Sequence, residues 1–358
     1  MRLRETFSRE VTVNVRHAKD VARQWVIEEG SKAPGFHGAY FAGSTNWLPD
    51  DAPLPAASDL DVNLVVTGPN APNKRAKFVY RDVLLEITYL PSDQLRSPDL
   101  ILGHYHLAGG LSTPGIILDP SGQLTALQAA VSRGYAKRQW VRRRCEHARA
   151  RVLQQLEALT ESEPFPDQVI GWLFATGVTT HVLLAAGLRN PTVRRRYVAA
   201  RELLADYGCL GFYEPLLELL GCAQMSRMRV EQHLAALTDM FDAARTVIKT
   251  PFPFASDISD VARPIAIGGS QDLIEQGYHR EAVFWIAATY SRCQQALSVD
   301  APVEMSEKSG RGYRQLIADL GITSFSDLQQ RGEQVREHLP RVWEVAEAIM
   351  AADPAIED

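Results

Sequence analysis

The chain is short of the features that reveal a function by composition. It has only four cysteines in 358 residues: Cys145, Cys209, Cys222 and Cys293. None stands in a C-x-x-C pair and the gaps are long, which excludes a disulfide framework and a cysteine-ligated metal centre. Reduced thiols in a cytoplasmic chain are expected instead. No charge of one sign dominates. The 38 basic and 43 acidic residues leave a net −5, too mild to advertise a nucleic-acid binder. There is no internal repeat and no low-complexity tract. The N-terminus (Met1, Arg2, Leu3, Arg4) is charged and lacks an apolar core, so no signal peptide is expected. Long apolar runs are also scarce. One uncharged stretch, 168–188, has the length to span a bilayer. It carries Gly171, Gly177, Thr176, Thr179, Thr180 and His181, and it stands alone in a chain of ordinary polarity. A core helix is expected there, with no membrane contact.

What is present is ordinary globular material: 46% hydrophobic and 23% charged residues. That excludes a disordered or collagen-like chain. At roughly 150 residues per domain the length suggests two domains with sizeable cores. The texture changes near residue 122. Before it, helix and strand signals mix. Ala18, Val21, Ala22, Trp25 and Val26 fall at helical spacing within 16–29. Segments 38–42, 59–67 and 115–118 read as strands. Segment 77–89 reads as two strands, or one bent strand, with Arg81-Asp82 as the turn. After it, strand signals stop. Val141, Cys145, Ala148, Val152 and Leu156 form a helical stripe, and further helices are expected near 166–188, 192–207, 227–248, 270–297, 309–320 and 326–352. Ser326 is the expected N-cap of the last. Breaks fall at Asn190-Pro191, at the stretch between Pro251 and Pro253 and at Gly268-Gly269. The fold class expected is α+β: a small mixed-sheet domain over 1–122, then an all-helical domain over 123–358.

The chemistry concentrates between Gly43 and Glu86. Gly43-Ser44 closes an apolar strand. Fourteen residues separate Ser44 from Asp59-Leu60-Asp61, which opens the next one. Side chains two apart on a strand share a face, so Asp59 and Asp61 project together while Leu60 and Val62 face a core. Two neighbouring carboxylates repel, and a divalent cation relieves that repulsion. Hard oxygen ligands with room for water and phosphate suit Mg²⁺. Glu86 stands inside the apolar run Leu84-Leu85-Glu86-Ile87, where an acid is costly without a partner. From a neighbouring strand it would complete a site for one or two metals. Gly-Ser at a strand-to-helix turn suits close approach to a phosphate. Taken singly, Gly-Ser is an ordinary turn and Asp-x-Asp a solvated strand end. Their order, with the embedded Glu86 following, points to a functional site.

This set of motifs resembles that of the DNA polymerase β-like nucleotidyltransferases over roughly residues 15–120. The resemblance implies a small mixed sheet, Mg²⁺ held by Asp59, Asp61 and Glu86, and triphosphate contacts from Gly43 and Ser44. A mixed domain followed by helices is most similar to the aminoglycoside nucleotidyltransferase branch. That similarity implies an acceptor pocket in the helical part and a further role for Glu86 as general base. The expected activity is therefore Mg²⁺-dependent transfer of a nucleoside monophosphate, AMP from ATP or the equivalent from another nucleoside triphosphate, to a hydroxyl of a small molecule. The 45–57 loop, with Trp47, Pro49, Pro53 and Pro55, is longer than in many members.

Other features admit two readings. Residues 133–151 hold eight basic side chains against Glu146 alone. They would serve a protein or RNA acceptor, or they coat a solvated helix, since the charges spread round it. Arg194-Arg195-Arg196 poses the same choice. His104 and His106 lack a third ligand at suitable spacing. Asp206, Tyr207, Glu214 and Glu281 suit a polycationic acceptor but are scattered. A catalytically silent nucleotide-binding scaffold is the remaining alternative, and the intact trio of acids argues against it.

Overall fold

The computed structural model describes residues 13–55, 57–68, 77–252 and 254–358. The N-terminal stretch 1–6 and Pro253, both considered above, lie outside them. The first helix, α1 (Val15–Glu28), starts where the Asn14 side chain accepts a hydrogen bond from the His17 amide at 2.8 Å. It buries Val15, Ala18, Val21, Ala22, Trp25 and Val26 along one face. Five strands follow: β1 (Phe36–Phe41), β2 (Leu60–Val66), β3 (Phe78–Tyr80), β4 (Val83–Pro91) and β5 (Ile116–Leu118). They form one sheet in the order β3-β4-β2-β1-β5. β2 and β4 run parallel, and the other neighbours are antiparallel. Arg81 and Asp82, both with positive φ (45° and 69°), make the tight turn between β3 and β4.

Alternation along the two central strands separates core from site. Leu60, Val62 and Leu64 of β2 join Val83, Leu85 and Ile87 of β4 in the cluster under α1. Asp61, Asn63 and Glu86 therefore face the other way. That second face is covered in part by a cluster of Tyr40, Val65, Leu111, Leu124, Val131 and Trp140. It draws on α2 (Pro98–Leu102), α3 (Leu107–Ser112), α4 (Gln123–Gly134) and α5 (Arg138–Glu157). Near the start of β2 the cover stops, and the carboxylates open onto a cleft.

The rest is helical: α6 (Phe165–Ala186), α7 (Arg196–Asp206), α8 (Tyr213–Leu220), α9 (Arg227–Val247), α10 (Gly269–Glu275), α11 (His279–Asp300), α12 (Val303–Asp319) and α13 (Phe325–Ala352), with a π-helical turn at Pro264–Gly268. The fold is α+β, a mixed sheet with a helical C-terminal region. Among the described residues only α6 is long and apolar enough to cross a membrane, and 83% of its most apolar window is buried inside the protein. It packs against α5, α7, α11 and α13. The hydroxyls of Thr179 and Thr180 donate to the carbonyls of Thr176 and Gly177 one turn back, so those polar groups are satisfied within the core.

Several helix boundaries differ from expectation: α12 starts at Val303 instead of near 309, α8 stands where no helix was expected, and the chain stays helical through Gly268-Gly269. The helix expected over 270–297 is two, α10 and α11. The chain turns between them at Gly277, whose φ of +90° no helix accommodates. The N-cap of α13 is Ser324, not Ser326. The Ser324 hydroxyl accepts from the Asp327 amide at 3.2 Å, and the Asp327 carboxylate accepts from the Ser324 amide at 3.0 Å. This reciprocal box is strengthened by the Thr323 amide and hydroxyl, both bonded to the same Asp327 oxygen. Ser324→Ala should destabilise the fold by about 1 kcal/mol. Ser326→Ala, at an exposed position, should leave the denaturation midpoint unchanged. Chemical unfolding of the two variants side by side checks the assignment.

Candidate metal and nucleotide site

The sheet brings the three acids together. β2 and β4 pair in parallel with Asp61 directly opposite Glu86, and Asp59 lies two residues before Asp61 on the same face. One carboxylate oxygen from each falls within 4.8 Å of the other two. Among the described residues this is the one group of three or more His, Cys, Asp or Glu side chains so arranged. An all-oxygen, anionic donor set of this size fits a hard divalent cation such as Mg²⁺. A cation already tests that fit from within the chain. The Lys77 ammonium lies 2.7 Å from Asp59 Oδ2, contacts Glu86 Oε2, and is 3.6 Å from Asp257 Oδ1.

Gly43 shapes the neighbouring wall. It ends β1 with φ +69° and ψ −165°, a conformation left to glycine. A Cβ built on it would fall 1.8 Å from Asp61 Oδ2, so the carboxylate leans against the bare Cα. Ser44 then opens a 3₁₀ turn, Ser44–Trp47, held by Asn46 Nδ2 donating to the Phe41 carbonyl at 2.7 Å. Gly43, Ser44, Asp59, Asp61 and Glu86 all line one cleft of about 560 Å³. Trp47, Leu48 and Pro55 of the 45–57 loop line it too, which gives that loop a place in the site.

The opposite wall comes from the helical half: Asn190, Thr192, Arg194, Arg195, Asp272 and Gln276. The Arg194 guanidinium passes close to Gly269, where any Cβ would meet its Nη1 at 1.9 Å. Burial lowers the Arg194 pKa, and the negative charge of Asp59 acts in the opposite direction. A cation facing the carboxylates across a cleft suits a polyphosphate bridging the two walls. Arg196 has a different fate. It is wholly buried, with its guanidinium 4.0 Å from the Phe284 ring centroid and Nε donating to the Val193 carbonyl at 2.8 Å. The run of three arginines is thus split between cleft and core.

The two histidines form no metal site. His104 meets His147 in a tilted ring contact at 4.2 Å, and His106 contacts His181 edge-on at 5.6 Å, with Tyr105 between them. Burial lowers the pKa of His104 to about 4, with His147 adding to it. His181 is lowered further for the same reason, and the positive charge of Arg196 adds to it. These rings are neutral at pH 7. His106 alone of the four lines the cleft.

Much of the charge on the basic helix α5 is engaged within the fold. Arg138 pairs with Asp358, Arg142 with Glu347 at 2.7 Å, and Arg142 and Arg149 both lie over Trp343. Arg144 is buried and donates to the carbonyls of Leu102 and Tyr135. The scattered acids are likewise engaged away from the cleft. Asp206 pairs with Arg189, Glu214 with Arg280, and Glu281 accepts from the Tyr213 hydroxyl at 2.7 Å. Residues 277–281 frame a separate recess at the start of α11. The acids whose chemistry suits a polycationic acceptor therefore do not line this cleft, whereas Asp272 does. A scan of the chain against protein-family models gives no match, and a search of curated proteins finds none similar to it.

Proposed function

We propose that the chain is a Mg²⁺-dependent nucleotidyltransferase that moves a nucleoside monophosphate, with ATP as the first donor to test, onto a hydroxyl of a small molecule. The observation that carries this reading is the in-register acidic trio, Asp59, Asp61 and Glu86, at the floor of a cleft. Its two walls offer phosphate-binding groups on both sides. The resemblance of Gly43-Ser44, Asp59-Leu60-Asp61 and Glu86 to the polymerase β-like motif set supports it.

Asp59, Asp61 and Glu86 would hold the metal. When bound, it supplies Lewis-acid activation of the α-phosphate and charge neutralisation. Gly43 leaves room beside Asp61 for the triphosphate, and Ser44 offers it a hydroxyl donor. Arg194 neutralises the charge that builds on the leaving pyrophosphate. The acceptor hydroxyl attacks the α-phosphorus as the bond to pyrophosphate breaks, and the Glu86 carboxylate takes the hydroxyl proton. His106, Asn190, Thr192, Asp272 and Gln276 give the acceptor polar contacts. The cleft is of a size for a small molecule. Four free thiols, three of them buried, support a reducing compartment such as the cytoplasm.

The test uses labelled ATP, CTP, GTP and UTP with Mg²⁺ and a panel of aminoglycosides and other hydroxylated metabolites, with protein lysate and RNA as further acceptors. Transfer of label to a small molecule, abolished by EDTA and restored by excess Mg²⁺, is the expected result. Transfer that survives chelation overturns the metal's role. Failure of every nucleotide to bind overturns the reading as a whole.

A further inference from the structure

Lys77 is the cation closest to the acidic trio, and its surroundings are built. The residue stands immediately before β3, and its side chain is only 7% exposed. Its ammonium touches Asp59 and Glu86, two of the three carboxylates that converge on one point. A cation placed to satisfy two such oxygens occupies the space a divalent ion would take, because both are drawn to the same concentration of negative charge. On the far side of the ammonium stands a third acid, Asp257, at 3.6 Å. Asp257 is anchored independently: its Oδ2 accepts from Arg292 Nη1 at 2.9 Å, and that guanidinium lies 4.1 Å from the Phe254 ring centroid. A small enclosed space of about 10 Å³ adjoins Lys77 there, lined also by Asp257, Ile265, Trp285, Thr289 and Arg292. That is room for about one water or for a shift of an ammonium. The lysine therefore has two acidic neighbourhoods, one at the metal site and one in the helical half.

We infer that Lys77 is a built-in occupant of the carboxylate site, which metal must displace toward Asp257 before the site is loaded. This inference rests on the metal reading above. With the metal absent, the ammonium offsets part of the trio's charge and spares the fold three converging carboxylates with no cation among them. As metal binds, Lys77 loses Asp59 and Glu86 and retains Asp257. Loading the site then draws the segment leading into β3 against the helical half, and the empty site is kept from scavenging cations weakly.

The experiment titrates Mn²⁺ into the full chain, following free Mn²⁺ by electron paramagnetic resonance, for the parent protein, Lys77→Met and Lys77→Arg. A tethered competitor lowers apparent affinity by the fraction of time it holds the site. Lys77→Met should therefore bind Mn²⁺ about tenfold more tightly, while Lys77→Arg stays near the parent. Metal-free Lys77→Met should also melt lower than the parent and regain stability on adding Mn²⁺. Should the Met variant not fold, the parent protein supplies a second readout. Acetic anhydride labelling of Lys77, read by peptide mass spectrometry, should change on saturation with Mn²⁺ as the ammonium leaves Asp59 and Glu86 for Asp257. Mn²⁺ binding to the parent with equal or weaker affinity in Lys77→Met, or labelling indifferent to metal, overturns the inference and leaves the metal site standing. Absence of Mn²⁺ binding from both chains overturns the metal reading, and this inference with it.

Discussion

Asp61→Asn is expected to lower kcat/KM for nucleotide transfer by on the order of 10³-fold, about 4 kcal/mol of transition-state stabilisation. The substitution preserves shape and removes one charge. Asp61 sits directly opposite Glu86 across the parallel β2–β4 pairing, with Asp59 two residues away, so it belongs to the set of oxygens that converge on one point. An amide oxygen is a far poorer ligand for a hard cation than a carboxylate. Changing a residue that merely orients a metal ligand already lowers metal affinity or activity by roughly 10–100-fold. Loss of a ligand charge should exceed that. The fold should survive, because Leu60 and Val62 carry the core side of β2 and Asp61 carries none of it. Steady-state kinetics, Mn²⁺ titration and thermal melting on the same preparation separate the two effects. Activity within about tenfold of the parent, with the fold intact, would mean the trio is not the reaction centre.

The parts of this site that could be read in advance are those that depend on local periodicity. The D-L-D-V-N-L run of β2 shows its two faces by alternation, which is why Asp59 and Asp61 could be assigned to one side before any tertiary contact was known. Glu86 was conspicuous as an acid inside an apolar strand. The turn at Arg81-Asp82 was legible too, and positive φ at both residues is what such a short connection between twisted strands demands. The parallel register that sets Asp61 against Glu86 was not legible. It depends on how two strands separated by the β3 excursion line up, and nothing local encodes that.

The opposite wall of the cleft is non-local throughout. Arg194, Arg195 and Arg196 are chemically identical in sequence. Their division between cleft and core is decided by Gly269 making room for one guanidinium and Phe284 stacking under another. In the same way the arginines of α5 admitted either a protein or RNA contact or a solvated helix, and nothing local shows that Trp343 and Glu347, some two hundred positions away, take up Arg142. Asp272 and Gln276 are unremarkable positions on a short helix until α10 is packed beside the sheet. Lys77 gave the least warning. In the sequence it is only the first residue of the 77–89 strand segment, and only the tertiary approach of Asp257 and the trio shows it buried among acids.

Gly43→Ala should be nearly as damaging to activity as Asp61→Asn, although it removes no ligand and no charge. Two effects coincide there. The backbone at φ +69° and ψ −165° is strained for any residue with a Cβ, by about 2 kcal/mol. The added methyl would also overlap Asp61, at 1.8 Å from Oδ2, 2.6 Å from Cγ and 3.0 Å from Cβ. Relief requires Asp61 to swing away from the point where the three acids meet. Gly122→Ala is the control for a methyl at positive φ without overlap: at φ +74° and ψ 0° it lies in the milder left-handed region, and nothing lies within 4 Å of a Cβ built there. Both variants should lose stability, by roughly 1–3 kcal/mol, but only Gly43→Ala should lose Mn²⁺ affinity and nucleotide transfer, the latter by on the order of 10²–10³-fold. The double variant Gly43→Ala/Asp61→Asn should be little less active than Asp61→Asn alone, because both act through one carboxylate. Multiplicative losses in the double variant would show that Gly43 acts independently of Asp61. Full activity in Gly43→Ala would show that the Asp61 carboxylate is not needed where the structure places it.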